Sequence, residues 1–149
     1  MFELELKNPD ELVIKTKDRT VNINVVQSTI DANLSVGTIR GAGEYEIGDI
    51  AIVGISLKAG GIMYRISIEE TKIGLVGATA VVEDLDELGP IDILGTNNAK
   101  FVSIVEPKIV IPMGNMDFAE VKAEVKIEKK LKIKNSSSLP TVLTIYKLD

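Results

Sequence analysis

The first half of the chain alternates apolar and charged residues in short runs, the pattern of half-buried β-strands. Polar or glycine-rich turns separate these runs, such as Lys17-Asp18-Arg19 and Ala59-Gly60-Gly61. The predicted strands of this half are residues 2–6, 11–16, 20–26, 36–40, 49–57, 62–68 and 72–76. Residues 27–35 are polar and non-periodic, which predicts a loop or one helical turn. The pattern therefore favours antiparallel hairpins.

The second half mixes helical and strand spacing. Residues 81–88 place apolar side chains at i, i+1, i+4 and i+7, which predicts a short amphipathic helix ended by Gly89-Pro90. Further predicted elements are strands at 91–94, 108–111 and 141–146, helices at 98–105 and from about Asp117, a lysine-rich connection and a loop at 136–138. Hairpins followed by strand–helix alternation predict a strand-rich α/β (α+β) fold with helices outside its sheets. No repeat or long linker divides residues 1–149, so one domain is expected.

The composition agrees with a sheet-rich interior and narrows the class of protein. The chain has 20 Ile and 15 Val but only three Phe and three Tyr, and β-branched side chains pack well on pleated surfaces. A net charge of −5 disfavours nucleic-acid binding. Without cysteine there is no disulfide or thiolate site. An acidic start and the lack of an 18-residue apolar run predict a cytoplasmic protein with no signal peptide or membrane span.

Candidate chemistry is sparse. The chain has no histidine, so it lacks the commonest general base and the commonest zinc ligand. The glycine cluster Gly41, Gly43 and Gly48 has no P-loop lysine and is followed by a strand, which favours turns over a phosphate cradle. Nothing in these signals calls for a cofactor.

Three groups of charged residues are candidate sites. The carboxylates at 83, 84, 86 and 87 are interpreted as the solvated face of a short helix. Glu44 and Glu46 share one face of an extended segment, which leaves open paired carboxylates for acid–base chemistry beside a plain surface role. The lysine stretch is interpreted as a protected sheet edge, with nucleic-acid binding as the disfavoured alternative; its members are Lys126, Lys129, Lys130, Lys132 and Lys134.

Several segments, in order, resemble one enzyme family. The stretch GAGEYEIGDIAIVGI, which contains Gly41, Gly43, Glu44, Tyr45, Glu46 and Gly48, is similar to the segment G-P-G-E-Y-E-I-G-G of a metallo-β-lactamase-fold hydrolase family related to ascorbate-6-phosphate lactonases. The later segments GIMYRISI, DELGPIDIL and PKIVIPMG resemble that family's next motifs. The resemblance implies an αββα sandwich of two central sheets and, in intact members, metal-dependent hydrolysis.

The resemblance also implies that the metal ligands are lost. The family's H-x-H-x-D-H motif falls on residues 27–32, so that only Asp31 keeps its type. The family has an aspartate at the position of Ala78 and a histidine at the position of Gly114. Gly114 comes two residues after Pro112, which ends the strand of the segment IVIPMGN. The vestigial ligand positions are therefore Gln27, Thr29, Asp31, Ala32, Ala78 and Gly114. A catalytic zinc needs at least three strong ligands, which this set does not provide.

Two interpretations of function follow from the resemblance. In the first, the chain is a trimmed, non-catalytic member that serves as a structural or protein-interaction module, through a homodimer or another protein partner. In the second, it is a hydrolase with an unrecognised site, for example Asp31 with Glu44 or Glu46. The first predicts no bound metal, whereas the second predicts that metal or activity can be detected.

Overall fold

Alternating apolar residues build an antiparallel sheet from the start of the chain. The computed structural model describes residues 1–33, 35 and 37–149 of the protein. The strands of this six-stranded sheet are β1 (Phe2–Asn8), β2 (Glu11–Lys15), β3 (Thr20–Asn24), β4 (Thr29–Asp31), β5 (Ile39–Arg40) and β13 (Leu131–Ile133). Their order is β13-β1-β2-β3-β4-β5. The predicted hairpins of the N-terminal region are confirmed.

The remaining strands form an eight-stranded mixed sheet. They are β6 (Gly43–Ile47), β7 (Ile50–Ser56), β8 (Ile62–Ile68), β9 (Thr71–Val76), β10 (Ile93–Thr96), β11 (Ile109–Pro112), β12 (Glu124–Glu128) and β14 (Thr144–Leu148), in the order β12-β14-β11-β10-β9-β8-β7-β6. Strands β6 to β9 pair antiparallel, whereas β9, β10, β11, β14 and β12 run parallel. The parallel strands β9, β10 and β11 place their carboxyl ends side by side.

The two sheets stack on a shared apolar core, and helical segments cover the other face of the larger sheet. The core between the sheets joins residues such as Leu4 and Ile23 of the smaller sheet to Ile66 and Ile111 of the larger one. A second cluster packs α1 (Lys100–Val105) and the 3₁₀ helix Val82–Glu87 against the outer face of the larger sheet. The expected two-sheet sandwich is therefore present, with short helical segments on one side.

The outward face of the six-stranded sheet is polar. Glu5 and Lys15 lie on the paired strands β1 and β2, and their side chains form an ion pair of 2.7 Å. This hydrogen bond from Lys15 lowers the pKa of the Glu5 carboxyl. Cross-strand charge pairs let one face of an antiparallel sheet lie against water.

Several predicted elements were wrong in type. Residues 29–31 are a strand rather than a loop, because Ile30 packs in the core while Asp31 pairs with Asn22 of β3. The helix predicted at 81–88 is a 3₁₀ helix, and the helix expected from Asp117 is one 3₁₀ turn at Phe118–Glu120. The lysine-rich connection contains strands β12 and β13, since Leu131 and Ile133 alternate with charged residues and bury against the core. Of the strand predicted at 36–40, β5 covers Ile39–Arg40, and Val36 lies outside the described residues.

No helix in the described part of the chain is long and apolar enough to cross a membrane.

Candidate functional site

The carboxyl ends of β9, β10 and β11 form the place where ligands collect in sheets of this kind. Val76, Thr96 and Pro112 end these strands in matched register. Thr96 ties two of the ends together, because its hydroxyl donates to the carbonyl of Val76 at 2.8 Å and accepts from the amide of Asn98 at 3.2 Å. The residues that follow the strands, among them Ala78 and Gly114, therefore lie at one rim of the larger sheet.

Gly114 is exposed, but its backbone conformation and its neighbours do not favour a side chain. Its φ of +55° is in the left-handed region, which side chains other than glycine rarely adopt. A Cβ atom at this position would lie 3.3 Å from Cβ of Asn97 and 3.9 Å from Oδ1 of Asp10. The amide of Gly114 also donates to the carbonyl of Pro9 at 2.9 Å. The turn between β1 and β2 thus caps the end of β11.

Ala78 and Asn97 border a neighbouring cavity. Its volume is about 340 Å³, and its lining residues are Ala78, Asn97, Asn98, Ala99, Lys100, Asp117 and Glu120. The side-chain oxygen Oδ1 of Asn97 is buried and has no hydrogen-bond partner. Sequence reasoning missed Asn97 and Asp10, although an Asn-Asn pair directly after a buried strand is a signal that could have found the first.

The other vestigial positions lie elsewhere. Gln27, Thr29 and Asp31 line a small polar cavity of about 170 Å³ that also includes Asn22 and Asn24. Because β4 pairs with β3, Thr29 and Asp31 stand opposite these two asparagines on the six-stranded sheet. The structure thus places Gln27, Thr29 and Asp31 in one cavity, Ala78 in a second and Gly114 beside a third. Ala32 packs against the core between the sheets.

The asparagines of this polar cavity are already engaged within the protein. Oδ1 of Asn24 accepts from the amides of Val26 and Gln27 at 3.0 and 2.9 Å. Nδ2 of Asn22 donates to a carboxylate oxygen of Glu11 at 2.9 Å. These contacts fix the loop after β3, so the network is accounted for by local structure.

The donors near the strand ends do not suit a metal ion such as zinc. Ala78 and Gly114 carry no donor atom, the amide of Asn97 is a neutral, weak ligand, and the carboxylates that line the cavity beside Ala78 are Asp117 and Glu120, fewer than the three strong ligands that zinc needs. Among residues 1–33, 35 and 37–149, no three His, Cys, Asp or Glu side chains are grouped so as to hold an ion. The side chains that are present therefore do not fit the metal that the family resemblance implies.

The glycine-rich motif shapes a hairpin. Gly41, Gly43 and Gly48 all have positive φ angles, and the hydroxyl of Tyr45 lies within hydrogen-bond distance of the carbonyls of Gly41 (3.1 Å) and Ala42 (3.2 Å). A Cβ atom at Gly48 would lie 2.9 Å from Nε of Arg19. The motif therefore makes turns, as predicted, and the Tyr45 hydroxyl contacts the backbone of the turn at residues 41 and 42.

The proposed carboxylate pairs belong to different sheets. Glu44 and Glu46 are exposed on β6 of the eight-stranded sheet, whereas Asp31 is on β4 of the six-stranded sheet. The cavity that Asp31 lines includes neither glutamate. Geometry thus gives no support to joint acid–base chemistry by these residues.

The prediction that Asp84 lies on a solvated face was wrong. Its side chain is buried, with 5% of its surface exposed, whereas Asp86 and Glu87 are exposed. Oδ2 of Asp84 accepts from the amide of Val81 at 2.9 Å, and Oδ1 accepts from the amide of Lys58 at 3.2 Å. The carboxylate therefore joins the 3₁₀ helix to the turn after β7.

The lysines of residues 126–134 contact neighbouring side chains. Lys130 and Lys132 each approach a carboxylate oxygen of Glu3 at 3.9 Å. The ammonium of Lys126 lies 5.7 Å from the centre of the Tyr146 ring. Three of the five lysines, Lys126, Lys130 and Lys132, thus have partners within the chain.

Comparison with known proteins supports the fold. No protein-family profile matches the chain, nor does the sequence of any curated protein. Among solved structures, a protein from Thermotoga maritima described as a Zn-dependent hydrolase of the metallo-beta-lactamase superfamily is similar, with a TM-score of 0.71, 14% identity and 100% of each chain covered. At this identity the likeness shows the fold alone, which is that of the metallo-β-lactamase superfamily. The two chains cover each other fully, so this comparison does not show the trimming that the sequence predicts.

Proposed function

We propose that the protein is a non-catalytic domain of metallo-β-lactamase fold that acts in the cytoplasm as a structural or protein-interaction module. In this proposal the domain is a trimmed relative of the lactonase-like hydrolases. The observation that carries the proposal is the backbone conformation of Gly114 at the strand end. There a glycine in the left-handed region, close to Asn97 and hydrogen-bonded to Pro9, stands where the resemblance expects a histidine.

The chemistry of the rim also supports this function. A hydrolytic site of this fold uses a metal to acidify a bound water, and the metal needs converging nitrogen or carboxylate ligands. The cavity beside Ala78 contains two carboxylates, Asp117 and Glu120, but in the described part of the chain no third His, Cys, Asp or Glu joins them in a ligand group, and Asp31 belongs to another cavity. The core strands are retained, so the chain keeps the fold but lacks the side chains for this chemistry.

Equilibrium dialysis against zinc and against manganese tests the proposal. Because the rim lacks a ligand set, we expect far less than one ion bound per chain at micromolar free metal. The measurement is the metal content of the dialysed protein by mass spectrometry. Stoichiometric binding that a chelator reverses would contradict the proposal and favour the metal-dependent hydrolase.

The variant Gly114→His sharpens the same experiment. It restores one imidazole where the family resemblance expects it, but the backbone conformation costs about 1–2 kcal/mol for a side chain, and the other ligands are still absent. We therefore expect the variant to be less stable and to bind no more zinc than the natural protein. Tight zinc binding by Gly114→His would show that a near-complete site exists, contrary to the proposal.

A further inference from the structure

Strand β12 is an open edge of the eight-stranded sheet. It pairs with β14 on one side and ends the strand order on the other. All five of its residues are exposed, including Val125 (41%) and Ile127 (65%). An edge strand of this kind presents unpaired backbone groups and can accept a further strand.

The backbone orientation shows which residues would pair. The carbonyl of Glu128 accepts from the amide of Asp149 at 2.9 Å, so the backbone polar groups of Glu128 point towards β14. Successive residues of a strand point these groups to opposite sides, so those of Val125 and Ile127 point towards the open edge. Their amides and carbonyls are free to meet another strand in the plane of the sheet.

The charges of β12 select a partner and a register. Within β12, the run Lys126-Ile127-Glu128 complements a second copy of itself when two copies run antiparallel with Ile127 opposite Ile127. Lys126 of each copy then faces Glu128 of the other copy, which gives two opposite-charge pairs. A shift that places Lys126 opposite itself would instead set Glu124 against Glu128, and such like-charge pairs destabilise a sheet.

A register with Val125 opposite Val125 also pairs Glu124 with Lys126. Ile127 is the more exposed of the two apolar side chains, at 65% against 41%, so the Ile127 register removes more apolar surface from water. Opposite-charge pairs and a central apolar pair are the contacts that stabilise antiparallel strands.

We propose that the protein forms a symmetric homodimer in which the β12 strands of two copies pair antiparallel across Ile127 and join the two eight-stranded sheets. The partner in this dimer is a second copy of the chain, and the inference rests on the interaction role proposed above. Its test measures chain association and is separate from metal binding, so that either proposal can fail alone.

Sedimentation of the natural protein and of two lysine variants tests the dimer. At about 100 μM the natural chain of 16.1 kDa is expected to sediment at twice that mass, because small interfaces give micromolar affinity. Ile127→Lys places two like charges at the symmetry axis and should restore the single-chain mass. Ile104→Lys changes an exposed apolar residue of α1 and should leave the dimer intact. A natural protein of single-chain mass, or a dimeric Ile127→Lys, would overturn the proposal.

Charge reversal tests the pairing itself. Lys126→Glu or Glu128→Lys alone creates two like-charge contacts per dimer, and we expect either change to weaken association about tenfold. The double variant restores opposite pairs and should recover most of the affinity. If the double variant stays as weak as the single variants, the antiparallel β12 pairing is wrong.

A cysteine scan reads the register directly, since the chain has no cysteine of its own. Hydrogen-bonded antiparallel partners have Cα atoms about 5.5 Å apart, within reach of a disulfide. Mild oxidation of Ile127→Cys should therefore give a covalent dimer, whereas Val125→Cys, which has no cysteine opposite it in this register, should crosslink far less. A crosslink at position 125 alone would overturn the Ile127 register.

Discussion

Replacing Asp84 with alanine is expected to lower the free energy of unfolding by about 3 kcal/mol. The buried carboxylate accepts hydrogen bonds from the amides of Val81 and Lys58, and each such bond to a charged group contributes about 1.5–3 kcal/mol. Truncation removes both acceptors and detaches the 3₁₀ helix from the turn after β7. Equilibrium unfolding in urea measures the change.

Two matched variants separate this role from a general effect of charge. Asp84→Asn keeps the shape but has one acceptor oxygen in place of two, so its loss should be intermediate. Asp86→Ala removes an exposed carboxylate from the same 3₁₀ helix and should stay within about 0.5 kcal/mol of the natural protein. If Asp84→Ala were as stable as Asp86→Ala, the carboxylate would have no structural role.

Raising the pH from 10 to 12 is expected to destabilise the fold by about 2 kcal/mol through Tyr64 alone. Tyr64 is 1% exposed in the core between the sheets. Burial, with a smaller contribution from the charge of Tyr45, raises the pKa of Tyr64 from 10.0 to about 12. The folded protein therefore keeps this proton over a range in which the unfolded chain loses it. Stability is unaffected by Tyr64 below pH 10 and falls as the pH rises towards 12.

The variant Tyr64→Phe isolates this contribution from that of other groups titrating at high pH. The difference in unfolding free energy between the two proteins should change in favour of the phenylalanine variant by about 2 kcal/mol between pH 10 and 12. Absorbance of the phenolate should show one tyrosine that ionises late in the folded natural protein. A constant difference across this range would contradict the raised pKa.

Much of the fold could be predicted from the sequence because the apolar pattern is local. The hairpins of the first half and the buried strand that ends at Pro112 follow from alternation and from the lost amide of proline. Strand β4 was missed because only Ile30 marks its three residues, and its pairing with β3 is set by the sandwich. The exposed strand β12 alternates as strands do, but its lysines had suggested a connection.

The site could be predicted only in part, since its decisive contacts are distant in sequence. That Gly114 supplies no ligand is evident from the residue itself. Its contacts with Pro9 and Asp10, however, join residues about a hundred positions apart and depend on how the sheets stack. For the same reason motif order did not reveal that residues 27–31 and Ala78 line different cavities, nor that Asp84 is buried.

Thermal unfolding with and without metal tests the central claim, that this sandwich folds and persists without a metal ion. In a protein that binds an ion only when folded, the ion raises the melting temperature by mass action, and a chelator lowers it. For this protein we expect the same melting temperature, within error, in excess chelator, in zinc and in manganese. A rise of several degrees with either ion, reversed by the chelator, would contradict the claim.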